Sequence, residues 1–508
     1  MLRSYVKNLS PVALFWLLSL LVLAVRLVAA SQMELMEDEA YYWLWSRDPQ
    51  LSYYDHPAMV AWLIRGGTML LGDTPLAIRL PAILLNIATA RVLMAVGCQV
   101  FGQDRLGARL GLIAACWFYA MLLFNVTAII MTPDAPLLFC WSLLLLAATR
   151  ILTLSPQHGA SQYWALLGLA AGLGALSKYP ILLMAPPLLA MLLTYPELRR
   201  WLRRPHPYIA LLIALLAATP LLWWNATHGW IGINKQWNHA YGSRTPQPLR
   251  WLGELVGSEL GVVTPLVLLA LLLASWWGLR QAKQPAVQLL ALSSLLPLAF
   301  FLTHCLSGRV QAHWPAPAYL AACVLVPAWL KDRQAQGRRL NWLGWAAPAS
   351  AAVLSLVLYS QAVHPWLPIP QSIDPTRRLS GWAELGRGTD QAYQQSGADF
   401  LLAPDYTLAS QLSFYMPQHP MVWMPDMGRR LPFVGGASID QLVGKNALYI
   451  TRADGAYDQS AALLAHFDSV TPLAPPLFSL TLMRDGQDIR WIHFYLAKGY
   501  RGGLIEKP

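Results

Sequence analysis

Long apolar runs separated by short polar breaks fill the chain up to about residue 361. A membrane core is crossed by about 20 helical residues, each adding roughly 1.5 Å. Runs near that length recur along this part of the chain, and they predict about eleven transmembrane helices, with about 12–13 as the alternative. The expected spans are 11–30, 76–98, 106–130, 135–153, 162–177, 180–195, 207–224, 258–279, 286–304, 315–330 and 341–361.

Residues 362–508 follow a different pattern. Their proline-rich start, 364–370, predicts an extended linker. Beyond it, short runs rich in β-branched and aromatic residues alternate with helical stretches and with Asp-Gly turns at 454–455 and 485–486. These β-type runs are 400–403, 447–451, 477–482 and 491–495. The fold class predicted is therefore an α-helical polytopic membrane protein, with a membrane domain over 1–361 and a small α/β domain over 362–508.

Composition and charge agree with a membrane protein and distinguish its two faces. Hydrophobic residues make up 56% of the chain and charged residues only 12%, whereas soluble domains carry about 25% charged residues. The net charge of +11 would suit nucleic acid, but the basic residues gather in alternate loops between spans, so no nucleic-acid partner is expected. These basic residues are Arg3, Lys7, Arg105, Arg109, Arg150, Arg199, Arg200, Arg203, Arg204, Arg280, Lys283, Lys331, Arg333, Arg338 and Arg339. Because cytoplasmic loops are enriched in Lys and Arg, the other loops and the C-terminal domain are expected to lie outside.

The first outward loop carries most of the early acidity of the chain. Glu37, Asp38 and Glu39 open it, and Asp55 and His56 close it, with tyrosines and tryptophans between them. Apolar residues at helical spacing predict two short surface helices within about 39–71, which would hold the acids at the membrane surface. An aromatic belt at the interface is the alternative. Such a belt needs no cluster of acids, so this loop is the preferred candidate for chemistry on a membrane-bound substrate.

Three further polar residues lie at outward turns. Asp134 stands between two prolines, Lys178 breaks two apolar segments, and Arg309 follows Gly308. A cation on the outer side has no role in setting topology, so Lys178 is a candidate phosphate ligand, with simple contact to headgroups as the alternative. The planar guanidinium of Arg309 also suits phosphate oxygens.

Other features are less specific. The stretch 225–257 is rich in Trp, His and Asn, and it is expected to be a loop that could cover the acidic residues or contact sugar rings. The five cysteines show no disulfide framework. No His or Cys spacing typical of a metal site occurs, so no metal ligand is predicted. The sequence leaves open a divalent metal ion bound between a substrate phosphate and the carboxylate of Asp38 or Glu39.

Together these motifs resemble the C-fold membrane glycosyltransferases, in particular the lipid A aminoarabinose transferases and, more distantly, the protein O-mannosyltransferases. The resemblance covers roughly the first 360 residues. It is carried by Asp38-Glu39-Ala40-Tyr41-Tyr42, Tyr54-Asp55-His56-Pro57, Pro133-Asp134-Ala135-Pro136, Leu176-Ser177-Lys178, and Gly308-Arg309 ahead of Trp314-Pro315-Ala316-Pro317. The chain departs from the aminoarabinose transferases at one motif. Their motif resembles Asp/Glu-Lys-Pro-Pro, whereas this chain has Asp55-His56-Pro57-Ala58.

The resemblance implies an inverting transferase in the bacterial inner membrane, acting on the periplasmic face. Its donor would be a sugar on polyprenyl phosphate, and its acceptor a lipid, a glycan or a protein of the cell envelope. Asp38 would match the catalytic aspartate, while Lys178 and Arg309 would match ligands of the donor phosphate. Glu39, Asp55, His56 and Asp134 are expected to contribute to substrate binding. This agrees with the residues, because one carboxylate can accept the acceptor's proton and cations can stabilise the departing phosphate.

Two other classes of function remain open on the sequence alone. Polar groups at membrane depth also mark transport routes, so a lipid-linked substrate transporter or flippase is an alternative. A non-catalytic membrane scaffold with an outer binding domain is another. The charged residues gather at the outer ends of the spans and no inverted repeat is evident, which favours the transferase over a transporter.

Overall fold

The computed structural model describes residues 9–153, 160–241, 247–424, 439–453 and 460–504. The turn predicted at 454–455 and the basic residues Arg3 and Lys7 lie outside them. The chain divides into two compact units, and both are assembled from separate segments. The first unit comprises Met1–Leu27, Leu51–Val60 and Leu80–Val357, and the second comprises Val28–Gln50, Ala61–Arg79 and Leu358–Pro508. The domain boundary predicted between 361 and 362 stays a prediction.

Helices account for most of the described chain before residue 364. In order they are α1 Pro11–Gln32, α2 Glu37–Arg47, α3 Met59–Leu71, α4 Pro75–Phe101, α5 Arg105–Ala120, α6 Leu122–Ile129, α7 Asp134–Thr153 and α8 Ser161–Ser177. They continue as α9 Ala185–Thr194, α10 His206–Thr227, α11 Ile231–Tyr241, α12 Pro248–Val262, α13 Pro265–Leu279, α14 Pro285–His304, α15 Ala316–Ala335 and α16 Leu343–Val363. Short 3₁₀ helices, Tyr179–Met184 and Pro196–Arg203, flank α9.

Every predicted span falls on helical chain, yet the predicted number of spans is not confirmed. Within the described residues, six helices are long and apolar enough to cross a membrane, or up to nine if three sharply bent pairs each count as one span. The bent pairs include α5 with α6, at 71°, and α12 with α13, at 103°. The predicted spans 162–177 and 315–330 correspond to α8 and α15, which are not among these candidates.

The bend between α5 and α6 has a clear hydrogen-bonding basis. Met121 is extended there, so helical hydrogen bonding is interrupted. The Asn125 amide donates to Tyr119 O at 2.7 Å and to Met121 O at 3.1 Å, and the Asn86 amide donates to Phe124 O at 3.1 Å. Side-chain amides thus add hydrogen bonds to backbone carbonyl groups around the break.

Small residues set the packing of α8 against α10. A Cβ atom at Gly168 would lie 2.2 Å from Ala210 O, and one at Gly172 would lie 2.5 Å from Ala214 O. Glycine therefore allows these two helix backbones to approach closely, as is common between membrane helices.

The second unit contains a mixed sheet with strands β1 Phe400–Leu402, β2 Val422–Trp423, β3 Ala447–Arg452, β4 Phe467–Pro472, β5 Ser479–Arg484 and β6 Gln487–Tyr500. The order is β2-β1-β3-β6-β4, and β5 also pairs with β6. β1 pairs in parallel with β2 and β3, whereas β6 is antiparallel to β3, β4 and β5. All four predicted β-type runs are strands. The strands β2 and β4 were not predicted. β2 has only two residues, and β4, Phe-Asp-Ser-Val-Thr-Pro, contains Asp and Pro, which are depleted in strands.

Alternating residues place two apolar clusters on opposite faces of this sheet. Leu401 and Leu448 contact the cluster that includes Trp382 of helix α17, Trp382–Ser396, and Leu412 of helix α18, Tyr406–Tyr415. Their neighbours Phe400, Leu402 and Tyr449 belong to the other cluster, with Phe467 and Tyr500. This period of two is that of a strand whose two faces are both covered. The helix α19, Ser460–Leu463, completes the elements of this unit.

Candidate active site

Three acids of the loop that was predicted to face outward form the first turn of α2. Met36 is extended at the N-cap, and Glu37, Asp38 and Glu39 follow it. The Glu39 carboxylate accepts a hydrogen bond from the Met36 backbone N–H at 3.0 Å. Carboxylates are favoured at this end of a helix, where N–H groups lack helical partners and the helix dipole is positive. The two short helices predicted within 39–71 are present as α2 and α3, whereas their location at the membrane surface stays a prediction.

Glu39 is fully buried in an ion pair with Arg79 of α4, which is also fully buried. Arg79 Nε donates to Glu39 Oε1 at 2.9 Å, and Nη2 donates to Oε2 at 2.7 Å. A bidentate pair of this kind is geometrically specific. Both Glu39 oxygens are therefore engaged inside the protein, whereas its predicted role in substrate binding stays a prediction.

Asp38 lies in a different environment from its two acidic neighbours. Its side chain is half-buried and hydrogen-bonds to Tyr406 of α18. Glu37 pairs with Arg378, whose Nε lies 2.9 Å from Glu37 Oε2. Burial raises the pKa of Asp38, while the Arg378 charge opposes this effect and the charges of Glu37 and Glu39 add to it. A carboxylate with a raised pKa is a stronger base for accepting a proton near neutral pH.

In the first unit, Asp134 and Lys178 form a buried ion pair. Asp134 begins α7 after Pro133, and Lys178 is extended at the end of α8. Lys178 Nζ lies 2.9 Å from Asp134 Oδ1 and 3.0 Å from Oδ2. The Lys178 side chain is 10% exposed and the Asp134 side chain is 5% exposed. The structure thus brings together two residues that the sequence placed on separate turns.

Two histidines accompany this pair. His313 Nε2 lies 3.7 Å from Asp134 Oδ2. Burial, together with the Lys178 charge, lowers the pKa of His56 to about 4, against the opposing effects of the Asp55 and Asp134 charges. Burial likewise lowers the pKa of His313 to about 4. Both imidazoles are therefore neutral at pH 7.

Asp55 contacts a helix that was expected to be a loop. Lys235 Nζ, on α11, lies 3.4 Å from Asp55 Oδ1 and 4.8 Å from the centre of the Tyr54 ring. The neighbouring Gln236 donates to Asp55 O. The described part of the stretch 225–257 is thus mostly helical: it contains the end of α10, all of α11 and the first residues of α12. Its His239 side chain is outside the described structure.

Arg309 is paired at an exposed position. Its Nε lies 2.7 Å from Glu254 Oε2, and Arg250 Nε lies 2.9 Å from Glu254 Oε1. The Arg309 side chain is 61% exposed and that of Arg250 is 70% exposed. One carboxylate therefore holds two arginines, of which the sequence identified only Arg309.

The predicted site residues fall into groups with distinct partners. Asp134 and Lys178 lie together with His313, and their charges act on His56. Asp38 and Glu39 belong to the second unit. The sequence missed Arg79, Arg378, Tyr406 and Lys235; of these, Arg79 had a usable signal, because an ionisable residue inside an apolar span is rarely incidental. Among the described residues, no group of three or more His, Cys, Asp or Glu residues could hold a metal ion.

Known proteins resemble this chain in sequence. Residues 55–224 match the family described as dolichyl-phosphate-mannose-protein mannosyltransferase. The lipid A galacturonosyltransferase RgtD of Rhizobium johnstonii is 27% identical over 380 residues, which cover 74% of this chain and 76% of that protein. The undecaprenyl phosphate-alpha-4-amino-4-deoxy-L-arabinose arabinosyl transferase of Pseudomonas paraeruginosa is 29% identical over 338 residues. That match covers 61% of this chain and spans only 57% of the arabinosyl transferase.

The fold also resembles a solved structure. The apo crystal structure of ArnT from Cupriavidus metallidurans aligns with a TM-score of 0.66 and 16% identity, covering 95% of this chain and 97% of that one. At this identity the likeness concerns the fold alone. The relatives named here are glycosyltransferases, which confirms the enzyme class that the motifs predicted. In sequence and in fold, the chain resembles the C-fold membrane glycosyltransferases, and its residues 55–224 carry a match to their mannosyltransferase family.

Proposed function

We propose that the chain transfers a sugar from a polyprenyl-phosphate donor to an acceptor of the cell envelope, with lipid A as the first candidate, on the periplasmic face of the bacterial inner membrane. The relatives support the donor and acceptor classes, because their names specify lipid A and an undecaprenyl-phosphate-linked sugar. The observation that carries the mechanism is the environment of Asp38, a half-buried carboxylate whose pKa is raised by burial and which hydrogen-bonds to Tyr406.

In the proposed reaction, Asp38 accepts the proton of the acceptor hydroxyl. The acceptor oxygen forms a bond to the anomeric carbon of the sugar while the bond from that carbon to the phosphate oxygen breaks. Polyprenyl phosphate leaves with the electron pair, and a single displacement inverts the anomeric configuration. Proton acceptance by a positioned base contributes about 10²–10⁴-fold to such a step.

Lys178 and Arg309 are the proposed ligands of the donor phosphate. Each already has a carboxylate partner, so a bound phosphate would share Lys178 with Asp134 and Arg309 with Glu254. Such sharing keeps each cation close to its working position before the donor binds. Neutral His56 and His313 could still donate N–H hydrogen bonds to phosphate oxygens, but they would add no positive charge at pH 7.

Mass spectrometry of envelope lipids and glycans tests this function. Cells with the wild-type protein should contain a glycosylated lipid or glycan that cells without the protein lack. Asp38→Asn should abolish that product at unchanged protein abundance. Asp468→Asn is a matched control in the same unit, because the Asp468 side chain is 69% exposed on β4. An identical lipid and glycan profile with and without the protein would argue against the transferase, and a change in lipid distribution without new glycosylation would indicate a transporter.

A further inference from the structure

The Arg79 guanidinium binds three backbone carbonyl groups that lie just before the acidic turn of α2. Besides its two contacts with Glu39, Nη1 donates to Ala30 O at 3.1 Å and to Met33 O at 2.7 Å. Nη2 also donates to Glu34 O at 2.7 Å. Together with the Glu39 contacts, these bonds use all five N–H groups that an arginine side chain possesses. Within the second unit, one side chain thus binds the carbonyl groups at the end of α1 and the carboxylate at the start of α2.

We propose that Arg79 is a positioning residue for the base Asp38 and acts on it through Glu39. The inference rests on the proposed function, since it assigns Arg79 a part in that reaction. Glu39 connects Arg79 to the helix start, because the same carboxylate accepts the Met36 N–H. The chain from Ala30 to Glu39 is therefore held at several points around one guanidinium, and Asp38 lies within that segment.

Arginine is required here for geometric reasons. A lysine has three N–H donors on one atom and cannot span a bidentate carboxylate and three carbonyl groups. Stability alone is a weak reason for such a pair, because buried ion pairs can often be replaced by apolar residues without loss. A fixed position for the acidic turn is a better reason, because small displacements of a catalytic group reduce rates strongly.

Arg79 also sets the charge that Asp38 experiences. The groups that act on Asp38 are Glu37 and Glu39 on its own helix, Arg378 from the 3₁₀ helix Pro375–Leu379, and Tyr406 from α18. Arg79 neutralises Glu39. Without it, the Glu39 charge would act on Asp38 uncompensated and would further disfavour the ionised form of that base.

The test is the pH dependence of kcat for the purified protein with a polyprenyl-phosphate sugar donor. The base works when ionised, so activity is lost as pH falls through the pKa of Asp38. Arg79→Gln should lower kcat by about 10²-fold and move this acidic limb to higher pH, by about one unit. Glu39→Gln removes a negative charge, so its acidic limb should move to lower pH. In the double variant the limb should return close to the wild-type position, while kcat stays low.

Opposite displacements of the limb are the signature of the proposed coupling. A purely structural role for Arg79 would lower activity without moving the limb, and that result would overturn the proposal. Arg79→Lys should not restore kcat, and near-wild-type turnover in this variant would also contradict it. If Arg79→Gln fails to fold, the turnover of Arg79→Lys decides the question by itself, because this variant keeps the positive charge and loses only the geometry of the five hydrogen bonds. Failure of the proposed function is recognised separately, because Asp38→Asn would then retain full activity.

Discussion

Lys178 shows at the scale of single residues why partners matter more than isolated charges. The sequence marks it as a cation on the side where topology does not require one. In the structure both Asp134 oxygens lie within 3.0 Å of its Nζ, so its charge is balanced before any donor binds. Removing Lys178 would therefore have two effects: the loss of a phosphate ligand and the exposure of a buried, unpaired carboxylate.

These two effects can be separated. Lys178→Ala should weaken donor binding by about 1.5–3 kcal/mol, as expected for a charged hydrogen bond. If Lys178 binds phosphate, adding Asp134→Asn should restore thermal stability without restoring affinity. Titration of undecaprenyl phosphate into the protein in nanodiscs measures the affinity, and thermal unfolding of the same variants measures the stability. Recovery of affinity in the double variant would mean that Lys178 only compensates Asp134.

Arg309 has a matched control on the same carboxylate. Arg309 and Arg250 both contact Glu254, and their side chains are similarly exposed, at 61% and 70%. Because only Arg309 is proposed to bind the donor phosphate, Arg309→Ala should weaken donor binding by about 1.5–3 kcal/mol. Arg250→Ala should have little effect in the same titration. Equal losses in the two variants would assign both arginines to general surface charge.

Much of the candidate site could be identified from residue type and position, but its partners could not. Asp38, Asp134 and Lys178 stand out because acids and cations are rare in an apolar chain. Nothing in the local sequence indicates that Tyr406 lies beside Asp38, since the two are far apart in the chain and both occur in ordinary helical surroundings. The neutral state of His56 was likewise hidden, because it depends on burial and on the nearby Lys178 charge.

At the scale of elements, a break inside a predicted span depends on side chains that satisfy the backbone. The sequence predicts one continuous span over 106–130, since no proline or glycine lies near Met121 to mark a break. The structure instead has two helices that meet at 71°. Asn125 and Asn86 supply hydrogen bonds at the break, and the buried Arg26 donates to both, at 2.8 and 2.7 Å. Such long-range partners cannot be read from hydropathy.

Asn125→Ala should destabilise the protein because it removes the amide group that donates to Tyr119 O and the oxygen that accepts from the buried Arg26. The expected cost is about 1–3 kcal/mol for each buried group left unsatisfied. Thr219→Ala is the control, since the exposed Thr219 hydroxyl bonds only Leu215 O of its own helix among the contacts described. Thermal unfolding in detergent, followed by tryptophan fluorescence, measures the difference. Equal melting temperatures for the two variants would contradict this role for Asn125.

At the scale of the whole molecule, the sequence predicts the type of most large elements, but not the helix α11, the strand β4 or the number of membrane crossings. The length of an apolar run locates a helix well. In the described chain, six single helices and three bent pairs are long and apolar enough to cross a membrane. Bent pairs are the difficulty, because a pair can cross the membrane or return to the side from which it entered. The four predicted strands were identified because their β-branched and aromatic residues stand out against a polar background.

The predicted orientation rests on the distribution of basic loops and is directly testable. With the N-terminus in the cytoplasm, alkaline phosphatase fused after Tyr359 should be active and the enzyme fused after Arg338 should be inactive, because it folds only outside the cytoplasm. Immunoblots of both fusions control for expression. The reverse pattern of activities would place Asp38 and the C-terminal domain in the cytoplasm and would contradict the proposed periplasmic reaction.

The most direct test of the whole account is sugar transfer by Asp38→Asn in a single turnover. The purified variant is reconstituted in nanodiscs with an undecaprenyl-phosphate-linked sugar and lipid A, and product formation and donor binding are measured on the same sample. If Asp38 is the base, transfer should fall by about 10²–10⁴-fold, while donor affinity and melting temperature stay close to those of the wild type. Transfer at the wild-type rate, with the donor bound equally well, would contradict the central claim.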